Sequence, residues 1–155
     1  RQAQQDVLDV AQRDPLTGIH NRRMLPQLFQ DAVAKGGHLL FFDVDGLKTI
    51  NDRDGHFAGD ALLQRFGEAL RDAFDGHPTL RYAGDEFIAM LPAGRDPAAA
   101  IADLRTRLLA TSVQEAVAFS VGTAALGPGT ELRIALQEAD AGMYRDKQGK
   151  ATGAH

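Results

Sequence analysis

Apolar residues run almost without interruption from Leu39 to Val44, whereas on either side they recur every three or four positions. The unbroken run reads as a strand covered on both faces, and the spaced pattern as amphipathic helices. The strand, residues 38 to 45, ends in the carboxylates Asp43 and Asp45. A helix is predicted over residues 22 to 34 from Met24, Leu25, Leu28, Phe29 and Val33, stopped by Gly36-Gly37 and carrying Pro26 near its first turn. After the strand come a helical stretch over residues 47 to 53, a break at Gly55-His56, and a long helix over residues 59 to 74. Leu62, Leu63, Phe66 and Leu70 form the inward stripe of that long helix. Two β-rich runs, residues 79 to 82 and 87 to 91, flank Ala83-Gly84 like the arms of a hairpin. A helix over residues 97 to 110, a strand over 117 to 126 and a helix over 131 to 147 complete the pattern. The order strand, helix, strand, strand, helix, strand predicts an α+β sandwich of the ferredoxin-like, palm type, with helices added at both ends.

The hairpin carries two adjacent carboxylates, Asp85 and Glu86, on its turn. Paired strands hold such groups in place, so they can be aimed at a cation with little reorganisation. Carboxylates at the end of a strand are a recurrent place for Mg²⁺, which takes oxygen ligands and keeps water or phosphate oxygens for the rest. The structural alternatives are a solvated acidic hairpin tip and, for Asp43, a helix cap. A calcium loop starting at Asp43 is excluded, because Leu47 falls on a ligand position and Lys48 on the position that requires glycine.

At 155 residues the chain has the size of one domain able to bury a core without staples. It has no cysteine, which excludes disulfides, thiolate metal sites and a cysteine nucleophile. A formal charge of −4 argues against a nucleic-acid polymer as partner and leaves room for a local phosphate pocket. No apolar run reaches membrane-spanning length and no signal peptide is visible, so this stretch is not expected to contact a membrane. The first residue is Arg1, which suggests a piece of a longer protein.

Five motifs fall in order: Asp14-Pro15-Leu16-Thr17-Gly18 with Asn21-Arg22-Arg23, the Asp43-Val44-Asp45 strand end, Asn51-Asp52 with Gly55-His56 and Gly59-Asp60, Ala83-Gly84-Asp85-Glu86-Phe87, and Asp140, Tyr144, Lys147. Together they resemble the GGDEF family of bacterial diguanylate cyclases, here in an AGDEF variant, over roughly residues 14 to 150. The resemblance implies condensation of two GTP molecules to cyclic di-GMP with release of pyrophosphate, by a homodimer using Mg²⁺ or Mn²⁺, two per active site. It assigns metal binding to Asp43, Asp85 and the Val44 backbone carbonyl, and a catalytic role to Asp43, Asp85 and Glu86. It also implies guanine recognition by Asn51 and Asp60, phosphate contacts from Lys48, Lys147 and Arg81, and shaping of the site by His56 and Gly84. A carboxylate accepts both adjacent donors of guanine and rejects adenine; the structural alternative for Asp60, a carboxylate favoured by the helix dipole, is compatible with that role. Residues 1 to 13 would be the end of a signalling helix from an upstream sensory domain, residues 14 to 150 the catalytic domain, and residues 151 to 155 a disordered tail. The expected location is cytoplasmic, including as the cytoplasmic part of a larger, membrane-anchored protein.

Three positions depart from the family pattern. Ala83 replaces the first hairpin glycine, at a cost of about 1–2 kcal/mol if that position needs positive φ. The segment after Lys147 is one residue short, with Lys150 as the substitute phosphate contact. Phe74 and His77 replace the Arg and Asp of the product-inhibition motif, so no inhibitory site is expected. The competing reading is a catalytically inactive, GTP-binding regulatory domain.

Overall fold

The structure, a computed structural model, describes residues 11–111 and 117–153. Among these residues a five-stranded mixed sheet carries five α-helices. The strands are β1 (His20–Asn21), β2 (Gly37–Val44), β3 (Thr79–Ala83), β4 (Glu86–Pro92) and β5 (Phe119–Leu126). The helices are α1 (Leu25–Lys35), α2 (Leu47–Asp54), α3 (His56–Ala73), α4 (Pro97–Thr111) and α5 (Leu132–Gly153). The sheet order is β1-β3-β4-β2-β5, with β1 parallel to β3 and every other pair antiparallel.

The continuous apolar run of β2 is explained by its position inside the sheet with both faces covered. Leu40, Phe42 and Val44 pack with Leu62, Leu63, Phe66 and Leu70 of α3 and Leu104 and Leu108 of α4. Leu39 and Phe41 point the other way, into a second core with Leu25 and Phe29 of α1 and Ala135, Ala139 and Met143 of α5. The period of two then fixes the polar end of the strand: Asp43 and Asp45 fall on the face covered by α5. Glu86, paired directly with Asp43, falls on that face too.

Helix α5 sits tightly on β5 because Gly122 has no side chain. A Cβ there would run into the Ala139 carbonyl and the Met143 amide, so the backbones touch. On the opposite face Phe42 packs edge-to-face with Phe66, Phe74 and Phe119 at centroid distances of 5.9, 6.0 and 5.6 Å.

The predicted elements are present in order, apart from shifts of one or two residues at several ends and five further differences. Strand β1 adds two residues too few to carry any periodicity. The first helix is preceded by a 3₁₀ turn, Arg22–Met24, with the α-helix starting where Pro26 can occupy one of its first two positions. Helix α3 starts at His56, three residues early, because positive φ at Gly55 alone makes the break. Residues 83 and 84 are not the hairpin loop: Ala83 pairs with Glu86, leaving Gly84-Asp85 as the loop, and the register shifts between Arg81 and Ala83. Helix α5 continues through residues 151–153 of the expected tail, its later turns held by lysines that reach back to the sheet. Residues 1–10 of the expected signalling helix, and residues 154–155, lie outside the described residues; Ala11 and Gln12 are helical.

Candidate functional site

Asp43 stands at the end of β2 with only 8% of its surface exposed. Its Oδ2 accepts a hydrogen bond from Lys147 Nζ at 2.8 Å, while its Oδ1 is buried without a hydrogen-bond partner. The hairpin tip is tied to the same place, because the Val44 amide donates to the Asp85 carbonyl at 2.9 Å. Burial raises the pKa of Asp43 above the ordinary carboxylate value; the Lys147 hydrogen bond opposes this and the nearby Asp85 carboxylate adds to it. Glu86 is also raised, by burial first and then by the charges of Asp43, Asp85 and Asp140, with Arg22 opposing. Lys147 is raised by its bond to Asp43.

Asp45 makes a parallel cluster. It accepts from Ser120 Oγ at 3.1 Å and from Lys150 Nζ at 3.1 Å. Lys150 also donates to the Phe119 carbonyl and to Ser120 Oγ at 3.3 Å, and lies 3.9 Å from Asp146. Asp146 in turn accepts from the Val121 amide at 2.9 Å.

Arg81 is engaged at all three guanidinium nitrogens. Nε and Nη2 donate to the Gly84 carbonyl at 3.1 and 2.9 Å, and Nη1 to Asp14 Oδ1 at 3.2 Å. Its observed contacts brace the hairpin, and a phosphate contact would require it to leave them. Neither Ala83 nor Gly84 has positive φ, so alanine at position 83 carries no backbone strain. A Cβ at Gly84 would meet nothing within 4 Å. Inside this chain, then, neither conformation nor space requires glycine at position 84.

The predicted base-reading residues lie on adjacent helices. Asn51 on α2 is packed against Gly59 on α3, where a Cβ would collide with Asn51 Oδ1, a buried atom without a hydrogen-bond donor. Asp60 follows Gly59 and is exposed. His56 is the first residue of α3 rather than part of a loop, and is exposed; Lys48, in the first turn of α2, is exposed too. The structure therefore brings Asp43, Asp85, Glu86 and Lys147 together, with Asn51 and Asp60 as a second group. Asp14, Asp45, Ser120, Asp140 and Asp146 complete the polar framework. Asp14, Asp45 and Asp140 lie in segments already singled out by their motifs, but the contacts of Asp14 with Arg81 and of Asp45 with Ser120 span 67 and 75 residues and left no local signal.

Among the described residues no three His, Cys, Asp or Glu side chains converge into a metal cluster. Two carboxylates, one with an unpartnered buried oxygen, fit a hard divalent cation whose remaining ligands are a backbone carbonyl, water and phosphate oxygens. A cavity of about 210 Å³ opens beside Glu86, lined by Phe41, Tyr82, Leu136, Gln137 and Asp140. A cavity of about 260 Å³ lies at the far end of the sheet around His77 and Pro92, remote from the carboxylates. No described helix is long and apolar enough to cross a membrane.

A mixed sheet in this order, covered by helices on both faces and ending in carboxylates opposite a hairpin, defines an α+β domain of the palm type. The family model described as "Diguanylate cyclase, GGDEF domain" matches residues 11–152, and the chain belongs to that family. It is 30% identical over 159 residues to the diguanylate cyclase DgcS of Shewanella oneidensis, covering 96% of this chain and 53% of DgcS. Among solved structures, it is similar to diguanylate cyclase SiaD of Pseudomonas aeruginosa, in complex with its activator SiaC, at 28% identity. The TM-score is 0.81, over 96% of this chain and 64% of SiaD. A microbial GGDEF domain solved for its interaction with cyclic di-GMP is 34% identical, with a TM-score of 0.77 over 90% of this chain and 94% of that one. The chain spans 67% of the length of a Streptomyces griseus relative that it matches and 16% of a Mycobacterium tuberculosis one.

Proposed function

We propose that this domain is an active diguanylate cyclase, condensing two GTP molecules into cyclic di-GMP and two pyrophosphates. The observation that carries the reading is Asp43: a buried carboxylate with one oxygen unpartnered, at the end of β2 beside Asp85 of the hairpin loop. In each half-reaction a 3′-oxygen bonds to the α-phosphorus of the other nucleotide, the bond to the β-phosphate oxygen breaks, and pyrophosphate leaves. Two Mg²⁺ or Mn²⁺ ions at Asp43, Asp85 and the Val44 carbonyl would lower the pKa of the attacking hydroxyl and neutralise the leaving group. Glu86 accepts the hydroxyl proton, and its raised pKa suits that task. Asp60 and Asn51 read the guanine edge, Lys48 and Lys147 hold the triphosphate, and Gly84 leaves the backbone open to the nucleotide. Since each nucleotide attacks the other, two half-sites must face across a two-fold axis, and the active species is a homodimer. An upstream sensory domain in the longer protein would control that pairing.

The test is incubation of the purified domain at high concentration with GTP and Mg²⁺, with products identified by mass spectrometry. Cyclic di-GMP should form, and Asp43→Asn or Asp85→Asn should each lower the rate by roughly 10²–10³ while the circular dichroism spectrum is kept. Specific GTP binding without product at any protein concentration would establish the regulatory, non-catalytic reading in its place.

A further inference from the structure

We infer that Lys147 is a built-in stand-in for the divalent cation, holding Asp43 in the nucleotide-free domain and passing to the triphosphate when cation and GTP bind. This rests on the reading of Asp43 and Asp85 as cation ligands. Asp43 is 8% exposed, and its neighbours across the sheet and hairpin are the carboxylates Glu86 and Asp85. Such a group needs a positive charge close by, and among the described residues the Lys147 ammonium supplies it at 2.8 Å.

The two ends of this contact are unequal. Asp43 is fixed in the strand, whereas Lys147 is 48% exposed on a four-carbon stem and can swing outward without disturbing the core. One turn later Lys150 is held more firmly, by Asp45, Ser120 and the Phe119 carbonyl together. Those bonds keep α5 docked on the sheet when Lys147 releases. An ammonium on Asp43 Oδ2 competes with any cation using the same carboxylate. Without nucleotide, a cation on this carboxylate, whose Oδ1 is unpartnered, repels the ammonium on Oδ2 and displaces it from its charge-assisted hydrogen bond into solvent. With GTP present the displaced ammonium gains phosphate oxygens, so cation and nucleotide favour one another's binding, and by linkage the coupling is reciprocal.

The test is titration of Mn²⁺ by electron paramagnetic resonance into the whole domain, with and without a non-hydrolysable GTP analogue. The proteins are wild type, Lys147→Met, Lys150→Met and Asp85→Asn, each checked for folding by circular dichroism. Without nucleotide, Lys147→Met should bind Mn²⁺ roughly fivefold tighter than wild type, as loss of a half-exposed competing ion pair allows. Lys150→Met removes the same charge one turn away and should change Mn²⁺ affinity clearly less. The analogue should tighten Mn²⁺ binding more in wild type than in Lys147→Met. Equal Mn²⁺ affinity in wild type and Lys147→Met, with binding lost in Asp85→Asn, would overturn the stand-in and leave the cation site standing. Equal gains in both lysine variants would reduce the effect to general charge and overturn it as well. No Mn²⁺ binding by any protein, even with the analogue, would overturn both the inference and the cation site. Should Lys147→Met fail to fold, Lys147→Gln, which keeps a donor and removes the charge, serves for the same comparison.

Discussion

Arg81 reaches back 67 residues to Asp14: its Nη1 lies 3.2 Å from Asp14 Oδ1 while Nε and Nη2 grip the Gly84 carbonyl. Asp14 is itself set by the Thr17 amide at 2.9 Å and hydroxyl at 2.7 Å. The opening Asp-Pro-Leu-Thr-Gly turn is thus the far anchor of the hairpin that presents Asp85 and Glu86.

Arg81→Ala is therefore expected to destabilise the domain by about 2 kcal/mol, the usual cost of losing charged hydrogen bonds from a largely buried site. Urea unfolding measures it. A variant with wild-type stability and weakened GTP binding would instead make Arg81 a phosphate contact.

Replacing Asp60 with Ala should leave stability nearly unchanged, since the residue is exposed on α3. GTP affinity should fall roughly tenfold or more, with ATP affinity hardly altered, as the guanine donors lose a charged acceptor. Calorimetry with both nucleotides checks this, and an unchanged ratio would reduce Asp60 to a helix carboxylate.

Gly84→Ala separates folding from function. With no positive φ and nothing within 4 Å of its Cβ, the change should shift stability by less than about 0.5 kcal/mol. If the nucleotide lies against this backbone, turnover and GTP affinity fall together. Full activity would mean that glycine is not needed at this turn.

Glu86 governs a pH dependence. Its pKa is raised by burial and by neighbouring carboxylates, so the folded state holds the proton more tightly than the unfolded chain. The stability it contributes is full below the ordinary carboxylate value and is lost as pH rises through the raised value. Glu86→Gln should remove that part of the decline and be more stable than wild type at neutral pH, with activity lost. Melting curves from pH 4 to 8 decide it; parallel curves would show that Glu86 titrates normally.

Product feedback should be competitive only. Phe74 is fully buried against Phe42, and His77 is within 3.1 Å of Arg95, so neither supplies the guanidinium or carboxylate that would grip cyclic di-GMP outside the active site. Initial rates at several fixed product concentrations should converge on one maximal rate at high GTP. A depressed maximal rate, with product bound beside Phe74 and His77 in a crystal, would contradict this.

The order of the longer elements was legible because periodicity reports burial directly: the unbroken run of β2 and the stripe of α3 are consequences of the layers they enter. Strand β1 was not, since two residues have no period. The hairpin loop was displaced by one residue because the register shift before Ala83 depends on pairing rather than composition. Asp43, Asp85 and Glu86 were singled out by their motifs, and the structure brings them together. That Lys147 meets Asp43, and Arg81 meets Asp14, follows only from how α5 and the first turn dock, which no local pattern encodes.

The seating of α5 on Gly122 has a consequence for how the protein is made. The lysine contacts to Asp43 and Asp45 span 104 and 105 residues, so a growing chain completes β2 and the hairpin long before it possesses the helix that balances their charge. A ribosome-bound intermediate ending before residue 147 would hold its carboxylates against one another with no ammonium to quiet them. Assembly of this end of the sheet then waits for α5 to emerge and settle, so the carboxylates acquire their native charge balance only once Leu132–Gly153 has been translated.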